Sequence, residues 1–458
     1  MLKLAELLCL AGIQVTFLNS DDNHSRLLKF TSVQSRFAAY PGFRFETIAD
    51  GLPPDHPRSG DRVTELFDSI EVVMKPRFRD MLDRFRRDPE TGPPVTCVIA
   101  DGSMCFPIGV AKEMGIPVLC FRTISASCFW AFFCIPELIK AGDLPVRGDD
   151  DMDRGLSGIP GMETFLRVRD LPAFCRVQDL SDPGLQYVTT ATYLTTRSDG
   201  LILNTFEDLE QPALSHIRRH IPNIYAIGPL HAHLASRLAS ESSAAPPPSY
   251  SLWKEDRSCI AWLDSQPPRS VVYVSFGSMA ILTSNELIEF WHGLVNSGKR
   301  FLWVVRPNSI AGGRPVPEEL VAATVGRGYV VGWAPQEEVL GHPSVGAFLT
   351  HSGWNSTLES ISAGRPMICW PYYADQQMNS RFVGDVWRVG RDMKDTCDRA
   401  TVERMIRDLM DERRCEFVGA AEQMAEMAIR AVNEGGSSYI NLDRLIEEVK
   451  SMATHNSA

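Results

Sequence analysis

The chain is 458 residues long, 44% hydrophobic and 22% charged, the proportions of an ordinary globular protein, and at this length two or three domains are expected rather than one core. A formal net charge of −11 and a pI near 5.5 argue against a nucleic-acid or anionic-membrane surface, so any phosphate site has to be built locally from helix N-termini and a few side chains. The 11 cysteines form no C-x-x-C pair and are odd in number, which favours reduced, buried thiols and a cytoplasmic protein over a disulfide framework.

Leu4, Leu7, Leu8 and Leu10 predict an amphipathic helix over 2–11, stopped by Gly12. Glu6 breaks its apolar run, so the start reads as folded structure and not as a secretory leader. No apolar stretch reaches the roughly 18 residues of a membrane span, and no integral membrane association is expected. Strands are expected at 13–18, 43–48, 95–100 and 117–121, with a long helical pattern over 62–87. Strands alternating with helices predict a parallel sheet covered on both faces. Ligands of such sheets sit beyond the carboxyl ends of the strands, where Asp101 and Thr123 fall.

A helix is expected over 129–140, followed by an irregular segment, 143–176, that suits a lid or acceptor wall. Asp149 to Asp153 has D-x-D spacing, but Arg154 stands where a calcium loop needs glycine and no apolar strand precedes it, so it reads as a solvated acidic loop and no metal site is expected. G-x-G-x-x-G is absent, which argues against a nicotinamide enzyme. Strands at 200–204 and 224–227 complete a first domain over 1–231, and 232–251, rich in Ala, Ser and Pro, reads as the linker to a second domain over 252–458. That domain has expected strands at 271–276, 301–305, 345–350 and 367–371, with 329–332 leading into a central box, and helices at 284–296, 354–363, 401–411, 415–432 and 439–452, the last returning to the first domain.

One stretch of the second domain gathers the chemistry: WAPQEEVLGHPSVGAFLTHSGWNSTLESISAGRPMICWPYYADQ, from Trp333 to Gln376. An apolar strand runs into His351-Ser352-Gly353 and then a helix, a junction whose free N–H groups and positive dipole end suit an anion. His351, Asn355 and Ser356 surround that junction, with Glu359 one turn on. Asp375-Gln376 follows the next strand and suits vicinal hydroxyls, and Trp333 offers a stacking plane. Together these describe a nucleotide-sugar site. Taken singly, Trp333 would read as core, Gln336 and Glu359 as helix surface, and Asp375-Gln376 as a solvated helix start.

The whole 44-residue stretch resembles the signature box of plant family 1 UDP-dependent glycosyltransferases. The resemblance implies a GT-B fold, two Rossmann-like doubly wound domains facing a cleft, and inverting transfer of glucose from UDP-glucose to a hydroxyl or carboxyl of a small lipophilic plant metabolite. It implies uracil stacking on Trp333 with Gln336 at the base edge, Glu359 on the ribose diol, and His351, Asn355 and Ser356 on the diphosphate. It further implies Ser278 as a phosphate or ribose contact, and Trp354, Asp375, Gln376 and Thr123 around the sugar. No cofactor or metal is expected beyond the UDP-glucose co-substrate, and a monomer is expected. A slight overall similarity is to glucosyltransferases of monoterpenoid and iridoid acids.

The family's general-base histidine, oriented by an aspartate that Asp101 matches, lies in a G-H-x-N-P-M stretch. Met1-Leu2-Lys3-Leu4 resembles the residues just after it, so that histidine and its strand are expected to precede the first residue, and His24 reads as a surface residue. Two alternatives to the transferase stay open at this point: a catalytically impaired or non-catalytic UDP-sugar-binding short form, and, more distantly, a nucleotide-sugar epimerase.

Overall fold

The computed structural model describes all residues except 57, 59–61, 63–64, 66–67, 105, 241–248, 307–308, 314–316, 318–323, 325 and 456–458. Among the described residues, twelve strands, all paired in parallel, form three sheets. β1 (Thr16–Ser20) and β2 (Arg44–Ile48) pair with each other. β3 (Val98–Asp101), β4 (Val118–Arg122), β5 (Gly200–Leu203) and β6 (Ile224–Ala226) form a second sheet in that order. The remaining six are β7 (Val271–Ser275), β8 (Arg300–Val304), β9 (Gly328–Val331), β10 (Val345–Thr350), β11 (Met367–Cys369) and β12 (Gly390–Asp392). They lie in the order β12-β11-β10-β7-β8-β9, with helices between them in sequence. The expected pair of doubly wound domains is what the chain forms.

Central strands show why the sequence reads as it does. Every residue of β4, β5, β7 and β10 is buried, so these segments are near-continuous apolar runs, broken by a polar or charged residue only at the carboxyl ends of β4, β7 and β10, instead of alternating ones. The last helix, Ser437–His455, leaves the second domain and lays Leu442, Leu445, Ile446 and Val449 against Leu119, Phe121, Ile202 and Tyr225 of the β3–β6 sheet, together with Leu4, Leu7 and Leu8 of the helix Leu2–Leu10. Each fully buried leucine here contributes about 1.5–3 kcal/mol, so one cluster ties both ends of the described chain together.

Several boundaries differ from expectation. The expected linker, 232–251, begins inside a helix, Leu230–Ser240, whose Leu230 and Leu234 are buried in the same cluster; 241–248 lie outside the described residues. The 129–140 helix is two helices, Ala126–Phe133 and Ile135–Ala141, because Pro136 cannot continue the first. The pattern over 62–87 yields a π-turn at Ile70–Met74 and an α-helix at Lys75–Arg87, with part of 62–69 outside the described residues. β12 was not expected, because Gly390-Arg391-Asp392 carries no apolar run. His24 is half-buried against Phe45, ring centroids 5.1 Å apart, and is not a surface residue.

Candidate active site

The core of the site is the junction after β10. His351 follows the strand directly, Ser352 takes φ +63°, and Gly353 opens the helix Trp354–Ser362 with no side chain capping its first N–H groups. Glycines hold the imidazole in place by leaving it room. A Cβ on Gly277, itself at φ +70°, would lie 2.4 Å from His351 Nε2, and one on Gly353 would lie 2.6 Å away. Burial, aided by the positive charge of Arg306 and opposed by the Ser275 carbonyl, lowers the His351 pKa to about 4. The ring is therefore neutral at physiological pH. Arg306 lies behind Gly277 and donates from Nε to its carbonyl (2.7 Å); burial, with Arg26 adding to it, lowers this guanidinium to about 10. These groups are an electropositive recess lined by N–H donors.

Beside it, Gln336 opens the short helix Gln336–Gly341 and donates from Nε2 to Ser356 Oγ (2.9 Å) and to Glu359 Oε2 (2.7 Å), while its Oε1 accepts from Tyr273 (3.2 Å). One turn of helix separates Ser356 from Glu359, so a single carboxamide aligns both. Burial, reinforced by Glu337 and opposed by Lys3 and Gln336, raises the Glu359 pKa to about 7. Glu337 is ion-paired with Lys3 of the first domain. Trp333 is half-buried and stacks on Trp253 at 4.9 Å and 25°, which fixes the plane of its indole and covers one face.

Asp375 and Gln376 start the helix Gln376–Arg381 after β11. Both are buried, at 6% and 7% exposure. Asp375 accepts from Asn379 (2.9 Å); burial, with a contribution from Glu210, raises its pKa to about 6. Gln376 Oε1 accepts from the Tyr372 and Tyr373 amides (2.8 and 2.7 Å), leaving its NH₂ as the group for a ligand.

Trp354 differs from expectation: its side chain is 3% exposed and donates from Nε1 to the Asn204 carbonyl (2.8 Å). The indole is a domain-bridging core residue, and its backbone lies at the helix start. Asn355, exposed, accepts from Asn204 Nδ2 (3.3 Å). Ser278 is exposed in the turn after β7. Asp101 closes β3, its Oδ1 accepting from the Ser103 amide (2.9 Å) and hydroxyl (2.6 Å).

A cavity of about 350 Å³ between the domains brings Thr123 of the first domain to Asn355 and Glu359 of the second, with Asn204, His231 and Lys3 in the same wall. Trp333, Gln336, His351, Asp101, Ser278, Asp375 and Gln376 do not line it. Asn204, at the end of β5, and Arg306 were missed. The position of Asn204 at a carboxyl strand edge was the available signal; Arg306 had none. In the acidic loop, Asp151 is ion-paired with Arg154, and Asp153 with Arg167 and Arg169. Among the described residues no three His, Cys, Asp or Glu side chains converge as metal ligands, and no helix is long and apolar enough to cross a membrane.

Comparison with known proteins identifies the family. Residues 251–415 match the family model for UDP-glucoronosyl and UDP-glucosyl transferase. The chain is 57% identical to the 7-deoxyloganetic acid glucosyltransferase of Catharanthus roseus over 99% of its own length and 94% of that protein. It is 43% identical to the mogroside I-A1 synthase of Siraitia grosvenorii over 99% and 86%. Among solved structures, Os79 of O. sativa in complex with UDP superposes with a TM-score of 0.81 at 27% identity, covering 98% of this chain and 96% of that one. The chain belongs to the plant family 1 UDP-dependent glycosyltransferases.

Proposed function

We propose that the chain transfers glucose from UDP-glucose, with inversion, to a hydroxyl or carboxyl of a small lipophilic metabolite, and that an iridoid acid of the 7-deoxyloganetic type is its acceptor class. The observation that carries the donor half is the Gln336–Ser356–Glu359 hydrogen-bonded set set against the His351 junction. Uracil stacks on the free face of Trp333 with Gln336 at its edge, the ribose diol donates to Glu359, and the diphosphate lies over His351, the helix start at Gly353 to Ser356 and Ser278. Asp375, the Gln376 NH₂ and Thr123 surround the glucose.

As the acceptor oxygen bonds to C1, the bond from C1 to the diphosphate oxygen breaks and its electron pair leaves with UDP. The charge that develops is met by preorganised N–H donors and by the cation of Arg306, in a recess where such interactions are worth more than in water. The reading requires no metal ion for that reason. Asp101 stands on the acceptor side, where its carboxylate is placed to orient the imidazole of the family's G-H-x-N-P-M histidine, the base that takes the acceptor proton. Both walls of the cleft come from one chain, so the donor site needs no second copy, and the ten described cysteines are free thiols, consistent with a cytoplasmic setting. The non-catalytic reading finds no support among relatives named as glucosyltransferases.

The test is product analysis. The chain, as it stands and extended at its amino end by the family's G-H-x-N-P stretch, is incubated with UDP-glucose and 7-deoxyloganetic acid, phenols and terpenoids. A β-glucoside and stoichiometric UDP are expected. An α-linked product would overturn the inverting mechanism, and absence of any glucoside from both forms would overturn the transferase reading.

A further inference from the structure

A carboxylate removed from water has to be matched by cations and donors. Asp170, 0% exposed, lies in the irregular first-domain segment, yet two of its cationic partners belong to the second domain. Lys394 Nζ lies 2.9 Å from Oδ1 and Arg381 Nε 3.5 Å from Oδ2. Arg167, from its own segment, adds its Nε and its backbone N–H to Oδ2, each at 3.0 Å. Burial opposes ionisation, but Lys394 and Arg167 outweigh it and hold the carboxyl below the ordinary aspartate range.

The same segment and the same cations hold the helix Gln376–Arg381 at several points. Ahead of it, the Ala173 amide donates to the Ala374 carbonyl (2.9 Å), and Ala374 sits at φ +55°, a conformation that alanine adopts only when its surroundings impose it. In the first turn, Lys394 donates to the Gln377 carbonyl (2.9 Å). At the far end, Arg381 donates twice to the Phe165 carbonyl (3.0 and 2.8 Å). Asp375 immediately precedes this helix and Gln376 begins it.

We propose that Asp170 is a positioning residue for the donor sugar: from the first domain it fixes the helix that carries Asp375 and Gln376, so recognition of the sugar is completed only with the two domains docked on each other. The inference rests on the reading that Asp375 and Gln376 face the glucose. It distinguishes the two parts of the donor, because the nucleotide is held by Ser278 and residues 333–359, which make none of these contacts with Asp170, Lys394 or Arg381 and meet the helix instead through Asn379 Nδ2, which donates to the Ser352 carbonyl (3.0 Å).

The test is calorimetric titration of the full chain with UDP and with UDP-glucose. Asp170→Asn keeps the size of the side chain and removes its charge, leaving Lys394 with Asp392 alone (3.1 Å). Ala173→Pro removes the N–H to Ala374 and touches no charge, and it decides the question if the first variant does not fold. For both variants the Kd of UDP-glucose is expected to rise about tenfold, as displaced binding groups do, while the Kd of UDP stays at the wild-type value. Equal weakening of both ligands, or no change in UDP-glucose affinity, would overturn the proposal. If wild-type protein bound neither ligand, the failure would lie instead with the proposed function.

Discussion

Replacing His351 with alanine is expected to lower kcat for glucosyl transfer by about 10²–10³-fold, the usual cost of removing one preorganised donor from a site of developing negative charge. The imidazole stands at the end of a fully buried strand, at the start of an uncapped helix, and is wedged where only glycine leaves room on two sides. Its pKa of about 4 means that it acts as a neutral N–H donor and not as a cation. The folded value is depressed, so the ring stays neutral as pH rises from 5 upward and contributes no pH dependence between pH 6 and 8. The measurement is kcat at saturating UDP-glucose for wild type and His351→Ala. An effect on KM alone would mean that His351 holds the ground-state donor and gives the transition state nothing extra.

Trp354→Ala is expected to destabilise the protein by about 3–5 kcal/mol, the range for deleting a large buried aromatic, and Trp354→Phe by about 1–2 kcal/mol, through the loss of one buried hydrogen bond. The indole crosses from the second domain to the Asn204 carbonyl of the first (2.8 Å) and sits tilted against Trp387, centroids 6.2 Å apart. Denaturant unfolding gives the stabilities. A titration with UDP-glucose separates the roles: Trp354→Phe should bind as wild type does, whereas a sugar-stacking tryptophan would lose affinity and leave stability unchanged.

These two residues show what the sequence could and could not reveal. The His351 junction was legible because strand, turn and helix are contiguous, and so was the rest of the box from Trp333 to Gln376. The burial of Trp354 was not, because its partner Asn204 lies 150 positions away on a strand edge with no motif. The same reasoning separates the elements. β7, β10 and the helix Ser284–Asn296, with its Thr283–Glu286 capping box, announce themselves through apolar runs and local capping. The helix Leu230–Ser240 was hidden by an Ala- and Ser-rich composition that reads as linker, although Leu230 and Leu234 already had the spacing of a buried face. The grip of Asp170 on the far domain depends on Arg381 and Lys394, which no local pattern connects to it.

The most direct measurement of the donor site is calorimetric titration with UDP-glucose at pH 7.5 and pH 5.5, on wild type and Glu359→Gln. A ribose diol donates to an ionised carboxylate, and the free protein holds Glu359 at about 7, above the ordinary glutamate value. Affinity should therefore be largely present at pH 7.5 and be lost as pH falls through 7, by about tenfold or more at pH 5.5. Asp375, at about 6, acts in the same direction more weakly. Glu359→Gln should bind more weakly at pH 7.5 and show a smaller pH dependence. Wild-type protein that gives no binding heat, or that binds UDP-glucose with the same Kd as Glu359→Gln at both pH values, would contradict the assignment of this cleft as a UDP-sugar site built on Glu359.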